Sequence, residues 1–270
     1  MLNIIRADIY RILRGKALYI TLIVLLAVSI LNVMSMYSFE TGAITFYMPA
    51  GLEDEVALLA PQLIVNGVNM PRLIAIQMEN FVFFLLPVIV IVAGAIFSHG
   101  TVKNDLAWGV SRVKLYFSKL ILASIICVLL MLFFVASATV GAIILGGIGG
   151  SAPPGHWMEI LQIYSAQLLF MLSYISIGVF LAFVTRRVAA INGAYMAYIF
   201  VPLFIITIIV GINGNLSWLL DFEKLTNVML MAELPNLETH EIVRALGIGS
   251  VILASSTIGG IALFRRAEIK

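Results

Sequence analysis

Residues 118–146, "SKLILASIICVLLMLFFVASATVGAIILG", carry a single charge, Lys119, in their second position and none thereafter. About 20 apolar residues cross a bilayer as a helix, and this stretch is longer. The whole 270-residue chain is built from such stretches: 62% of it is hydrophobic, 11% is charged, and its mean hydropathy is +1.09. Hydrocarbon offers the backbone no partners, so a spanning segment of this kind satisfies its own amides as helix. The expected fold class is an all-α integral membrane protein. Cys127 lies deep in this stretch and is the one cysteine, which excludes an intrachain disulfide. It reads as a small buried apolar residue rather than a reactive thiol.

Working outward in both directions gives six spans, at 17–37, 80–98, 118–146, 160–184, 190–212 and 243–264, in one transmembrane domain covering 1–270. The segments 1–16, 98–119, 185–189 and 265–270 then share a side. That side holds Arg6, Arg11, Arg14, Lys16, Lys103, Arg112, Lys114, Lys119, Arg186, Arg187, Arg265, Arg266 and Lys270, leaving Arg72, Lys224 and Arg244 opposite. Acids run the other way: of 14, only Asp8, Asp105 and Glu268 fall on the basic side. Basic residues stay in the cytosol, so both termini are expected there, as an even number of spans permits. Shifting the register by one span would destroy this separation. The extracellular segments are then 38–79 and 213–242.

Several features read as bundle construction. Trp157 and Trp218 stand at outer span ends, where amphipathic rings favour the interface. Pro87 and Pro202 lie within spans and predict kinks. The spacings Ser255-x-x-x-Gly259 and Ser256-x-x-x-Gly260 allow close helix approach. The first span is too long for the apolar core of a secretory signal and no convincing cleavage site follows, so it reads as retained.

"MLNIIRADIYRILRGK", residues 1–16, places Leu2, Ile5, Ile9, Ile12 and Leu13 on one helical stripe. Asn3, Tyr10, Arg11 and Arg14 occupy the opposite face, with Arg6 and Asp8 at the flanks and Ile4 out of pattern. Such a helix lies flat in the inner interface with its arginines toward anionic headgroups. A merely topogenic basic segment would need the charge but not the period. Gly15 frees the chain to turn into the membrane.

Ionisable side chains are absent from the middle of every span, which disfavours an ion-coupled secondary carrier. His99, His156 and His240 sit at span ends or in loops without a second ligand at metal spacing, and no His-Glu-x-x-His signature occurs. No phosphate-cradling glycine loop is present, and the cytosolic segments are far shorter than a nucleotide-binding domain. Any ATP used must be bound by another chain. Mild polar residues do occur within spans. Gln162, Ser165, Ser173 and Ser176 share one face of the fourth, and Asn192 and Tyr195 are neighbours on the fifth. They are candidates for a substrate path between bundles, or equally for interhelical hydrogen bonds worth about 0.6 kcal/mol each.

The segment "GTVKNDLAWGVSRVKLYFSK", residues 100–119, is too structured for a plain turn. Thr101 is read as an N-cap, and Asp105 suits the positive end of the helix that follows. Val102, Leu106 and Trp108 give that helix a partly apolar surface. Gly109 suits a left-handed stop, and Ser111 caps the next helix. A solvated basic turn explains the charge but not the caps.

This segment resembles the loop between the second and third spans in permease subunits of type-two ABC (ATP-binding cassette) exporters. Bacterial members carry a Gly-Thr-x-Lys-Asn…Gly-x-Ser-Arg-x-x-x-Tyr-x-x-Lys pattern, matched here at Gly100, Thr101, Lys103, Asn104, Gly109, Ser111, Arg112, Tyr116 and Lys119. The likeness extends over the whole chain and is nearest to bacterial permeases of peptide, bacteriocin-immunity and antibiotic-resistance exporters. It implies that Thr101, Lys103, Asn104, Asp105, Leu106, Trp108, Gly109, Ser111 and Arg112 form a coupling helix and its flanks, docked on a separate ATPase. Thr185, Arg186 and Arg187 would make a second contact, and 1–16 would be the connecting helix.

The implied assembly has two permease chains, identical or homologous, and two cytosolic ATPases that hold ATP and magnesium. This chain binds no cofactor itself, and no nucleic acid is implied. Relatives often fold the segment after the fifth span back into the membrane. The charges Asp221, Glu223, Lys224, Glu233, Glu238 and Glu241 argue instead for helices on the outer surface, and "EVALLAPQLIVNG", 55–67, for a short outer helix. The expected function is ATP-driven export of an amphipathic peptide, antibiotic or lipid-like substrate across a bacterial plasma membrane. The competing reading is a membrane sensor or scaffold that binds a cytosolic partner and moves nothing, and the secondary carrier stands third.

Overall fold

A computed structural model describes residues 2–43, 64–98, 100–213, 216 and 239–266, and every regular element among them is helical. The chain begins with α1 (Leu2–Arg14) and α2 (Lys16–Glu40). Farther along the chain come α3 (Met70–Ile76), a 3-10 turn (Met78–Phe81), α4 (Val82–Ile89), a π-helical stretch (Val90–Gly94) and α5 (Ala95–Ser98). Then follow α6 (Thr101–Ala107), α7 (Arg112–Gly146), α8 (His156–Thr185), α9 (Val188–Ile212) and α10 (Thr239–Arg266).

Five of these, α2, α7, α8, α9 and the Leu246–Arg266 part of α10, are long and apolar enough to cross a membrane. A sixth candidate is composite: Val82–Ser98 is followed, after a 71° bend, by α6. The six predicted spans therefore all coincide with helix. Pro87 lacks an amide hydrogen, and the helix opens into the wider π turn just beyond it, where the amide of Ala95 donates to Val90 O. Pro202 has no such effect, since α9 runs through it unbroken.

Two helix pairs dominate the packing, α8 with α10 and α2 with α7, and α7 also contacts α8. On the first seam Ser173 Oγ donates to Gly249 O at 2.7 Å, and Ser176 Oγ meets Ser256 Oγ at 2.5 Å. Gly260 sits so close to α7 that a Cβ there would lie 2.3 Å from the Tyr116 hydroxyl. The Ser256-Gly260 spacing is thus a contact surface; Ser255 is exposed. At the same end Phe183 packs edge-on to Phe97 and Phe264, with ring centroids 5.3 and 4.7 Å away, and lies 4.9 Å from Tyr116.

The segment 38–79 is more than a connector. Residues 55–63 of the expected outer helix lie outside the described residues, but 64–67 are not helical; helix begins only at Met70. There the backbone ties down the end of the bundle opposite the basic one. Gly67 N donates to Gly147 O at 3.0 Å, Val68 N to Ile148 O at 3.1 Å, and Val65 N to Glu40 Oε2 at 2.9 Å. His156 Nε2 lies 3.0 Å from Val68 O. Met70, Ile74 and Met78 are fully buried against α7 and α8, and α8 supplies donors for the buried carbonyls. Tyr164 hydroxyl reaches Pro71 O at 2.7 Å and Gln167 Nε2 reaches Ala75 O at 2.6 Å. Trp157, at the start of α8, is exposed as an interfacial ring would be. Trp218, His99 and the charged part of 213–242 through Glu238 lie outside the described residues.

Candidate functional site

At the basic end of the bundle the chain leaves α5 and turns sharply. Gly100 adopts the left-handed conformation at φ 66°, which a side chain resists, and α6 starts at once. This corrects the expected cap. Thr101 is the first helical residue rather than the residue before it, and its hydroxyl donates back to Ile96 O at 3.3 Å. The other two punctuation marks stand as expected. Gly109 is left-handed at φ 78°, and Ser111 Oγ accepts from Lys114 N at 3.4 Å to cap α7.

Val102 anchors α6 in the core, and Leu106 packs against it. Leu106 and Asp105 are half-buried, while Lys103, Asn104 and Trp108 are exposed. Trp108 is 88% exposed, although a large ring with a polar edge ordinarily finds cover.

Beneath α6 lies a charge cluster that sequence reading did not assemble. Asp8 was placed at the flank of α1; it is instead on the buried face with Ile12, 6% exposed. The reason is its partner. Lys119, 1% exposed near the base of α7, donates Nζ to Asp8 Oδ2. Arg11, one turn along α1, donates to Asp8 Oδ1 at 2.9 Å. A carboxylate and an ammonium can be buried together only when paired in this way. The available signal was Asp8 as the one acid among the basic residues of α1, matched to a lysine inside an apolar run.

Asp105 stands within the field of this cluster. Burial raises its carboxyl above the ordinary 3.8; Lys119 pulls it down, Asp8 adds to the rise and Arg11 opposes it. A carboxyl raised on folding binds its proton more tightly in the folded state. Its ionisation therefore removes stability as pH rises from 3.8 through the raised value. Asp105→Asn is thus expected to leave the melting temperature at pH 7 unchanged or slightly higher. A drop of several degrees in thermal unfolding would contradict this.

Of the remaining predicted contacts, Arg112, Thr185 and Arg186 bond within the protomer, and Arg187 is exposed. Arg112 Nη1 donates to Phe264 O at 3.1 Å and to Arg265 O at 2.7 Å, closing the end of α10. Arg112, expected on the docking surface, thereby joins α7 to the last helix. Thr185 Oγ1 bonds Leu181 O at 2.8 Å, Arg186 takes a left-handed conformation at φ 55° with Nε 3.5 Å from Phe183 O, and Arg187 opens α9 in an extended conformation. The corner between α8 and α9 is therefore two residues long.

The polar residues within the spans separate into two groups. Ser173 and Ser176 are buried and bonded to α10, and Tyr195 is buried with its hydroxyl 3.1 Å from Val82 O. Gln162, Ser165 and Asn192 are exposed on the protomer, and Ser165 Oγ bonds only Gln162 O at 2.7 Å. Among the described residues no three His, Cys, Asp or Glu side chains are grouped to hold a metal ion.

Residues 2–262 match a family model whose description is ABC-2 family transporter protein. No curated protein matches the chain.

Proposed function

The chain belongs to the ABC-2 family of transporter proteins, as a multi-pass membrane permease subunit, and from that we propose that α6 is the coupling helix through which a partner ATPase drives export. One observation carries the assignment. A seven-residue helix stands at 71° to the preceding span, is fixed to the bundle by Val102, and presents a bare indole at Trp108. Exposed apolar anchors on rigid elements are what a protein partner grips.

ATP binding would close a pair of ATPases, carry both coupling helices with them and switch access between two permease chains as rigid bodies. The cluster of Asp8, Arg11 and Lys119 ties α1 to the base of α7, so movement of α6 would be felt by the first three spans together. The basic end is then cytosolic, in a bacterial plasma membrane, with ATP and magnesium on the partner. Gln162, Ser165 and Asn192, left uncovered on the protomer, would line the path between two copies. The absence of charge from the middle of the spans suits an amphipathic peptide, antibiotic or lipid-like substrate.

The test is copurification of the chain with its ATPase in lipid. Trp108→Ala, which truncates a side chain 88% exposed on the protomer, is expected to weaken ATPase binding about 30-fold, the measure of a 2 kcal/mol anchor. Trp108→Ala and Asp105→Asn together should uncouple hydrolysis from transport while thermal unfolding of the permease stays put. If both variants assemble and transport normally, α6 is not the coupling helix. Survival of cells with and without the gene across antimicrobial peptides and amphiphiles then defines the substrate.

A further inference from the structure

The seam between α1, α2 and α7 is not closed. A cavity of about 320 Å³, within the range of small-ligand pockets, opens there. Its walls are apolar throughout: Ile9 and Leu13 of α1, Leu18 and Leu22 of α2, Leu129 and Phe133 of α7 among them. Along α7 the lining runs from Leu122 to Phe133. At 1.5 Å per residue this is about 17 Å, close to half of the ~30 Å hydrocarbon core, so the cavity has the depth of one leaflet.

The charge next to its walls along the chain is one-sided. Leu13, in the wall, is followed by Arg14, Gly15 and Lys16, and the first wall residue of α2 is Leu18. The elbow is held in place, since Tyr19 hydroxyl donates to Leu13 O at 2.9 Å and the Arg14 guanidinium lies 4.5 Å above the Tyr10 ring. Arg14 and Lys16 are exposed, and among the described residues no carboxylate lies within ion-pair distance of either. Asp8, the one acid of α1, is already taken by Arg11 and Lys119.

We propose that this cavity is a binding site for one anionic phospholipid of the surrounding leaflet, with an acyl chain between α1, α2 and α7 and the phosphate held by Arg14 and Lys16. The site is independent of the coupling-helix assignment. It differs from diffuse attraction of a basic helix to a charged surface in having walls, a depth and therefore a stoichiometry. A second copy of this chain fits less well, because a parallel neighbour would bring its own Arg14 and Lys16 to the same depth.

Native mass spectrometry of the full chain, released from mixed phosphatidylglycerol and phosphatidylcholine micelles, tests the proposal. One phosphatidylglycerol should be retained per chain, with a preference over phosphatidylcholine of about fivefold for each cation. The double variant Arg14→Gln, Lys16→Gln should lose the preference, while Lys114→Gln, on another exposed part of the basic end, should keep it. Leu22→Trp and Leu129→Trp, which fill the cavity, should reduce retention of both lipids. Retention that does not saturate, a double variant as selective as the wild type, or cavity-filling variants that split a dimer without changing the lipid count would each overturn it.

Discussion

Asp8→Asn is expected to be among the most damaging single substitutions in the chain. It leaves the Lys119 ammonium, 1% exposed, with no carboxylate in ion-pair contact, since Asp105 acts on it only at longer range. Stranding one member of a buried ion pair costs about 3–5 kcal/mol. The mirror change, Lys119→Met, should cost less, because Asp8 keeps Arg11 at 2.9 Å. The double variant Asp8→Asn, Lys119→Met should recover much of the loss, since replacing both charges by groups of similar volume is often near neutral. Thermal unfolding of the four proteins in one lipid nanodisc measures the cycle. An Asp8→Asn protein as stable as the wild type, or a double variant no better than it, would remove the pair from the account of how α1 is held.

Gly146→Ala should act at the opposite end with comparable force. A Cβ on Gly146 would fall 1.8 Å from the Val65 carbonyl oxygen and 3.0 Å from its carbon. These are backbone atoms, so no rotamer change relieves the clash. The strand of chain at 64–68 has to withdraw, and the bonds from Gly67 N to Gly147 O and Val68 N to Ile148 O go with it. Overpacking of this kind costs about 1–3 kcal/mol, and the lost hydrogen bonds add about 1 kcal/mol each. Hydrogen exchange at Gly67 and Val68 should rise by two or more orders of magnitude. Gly150→Ala is the control, because a Cβ there meets nothing within 4 Å. Equal exchange in the two variants would show that the tight approach at Gly146 does not hold that end of the bundle.

The coupling segment shows how far local chemistry can be read from sequence. Gly109 and Ser111 do what their side chains, or lack of one, allow in any context, and both are where the sequence puts them. Thr101 failed by one position because Gly100 supplies the left-handed turn itself, leaving the threonine inside the helix to bond back toward α5. Local rules rank candidate caps; a glycine that already provides the corner displaces them.

Apolar run length determined the helical class and the order of the five or six candidate spans, because lipid leaves a spanning backbone no alternative to helix. The motif around α6 determined the family, and the match over 2–262 agrees. Tertiary structure decided where each charge went. Asp8 looks like a surface residue when only α1 is considered, and Lys119 like the last topological charge before a span. They form a buried pair because α1 folds back onto α7, a contact between residues 111 positions apart. Likewise Arg112 holds the end of α10, and Ser173 and Ser176 hold its flank. Hydropathy records how much of a helix is apolar, but which helix covers which face depends on packing between elements distant in the chain, and those pairings leave no local period.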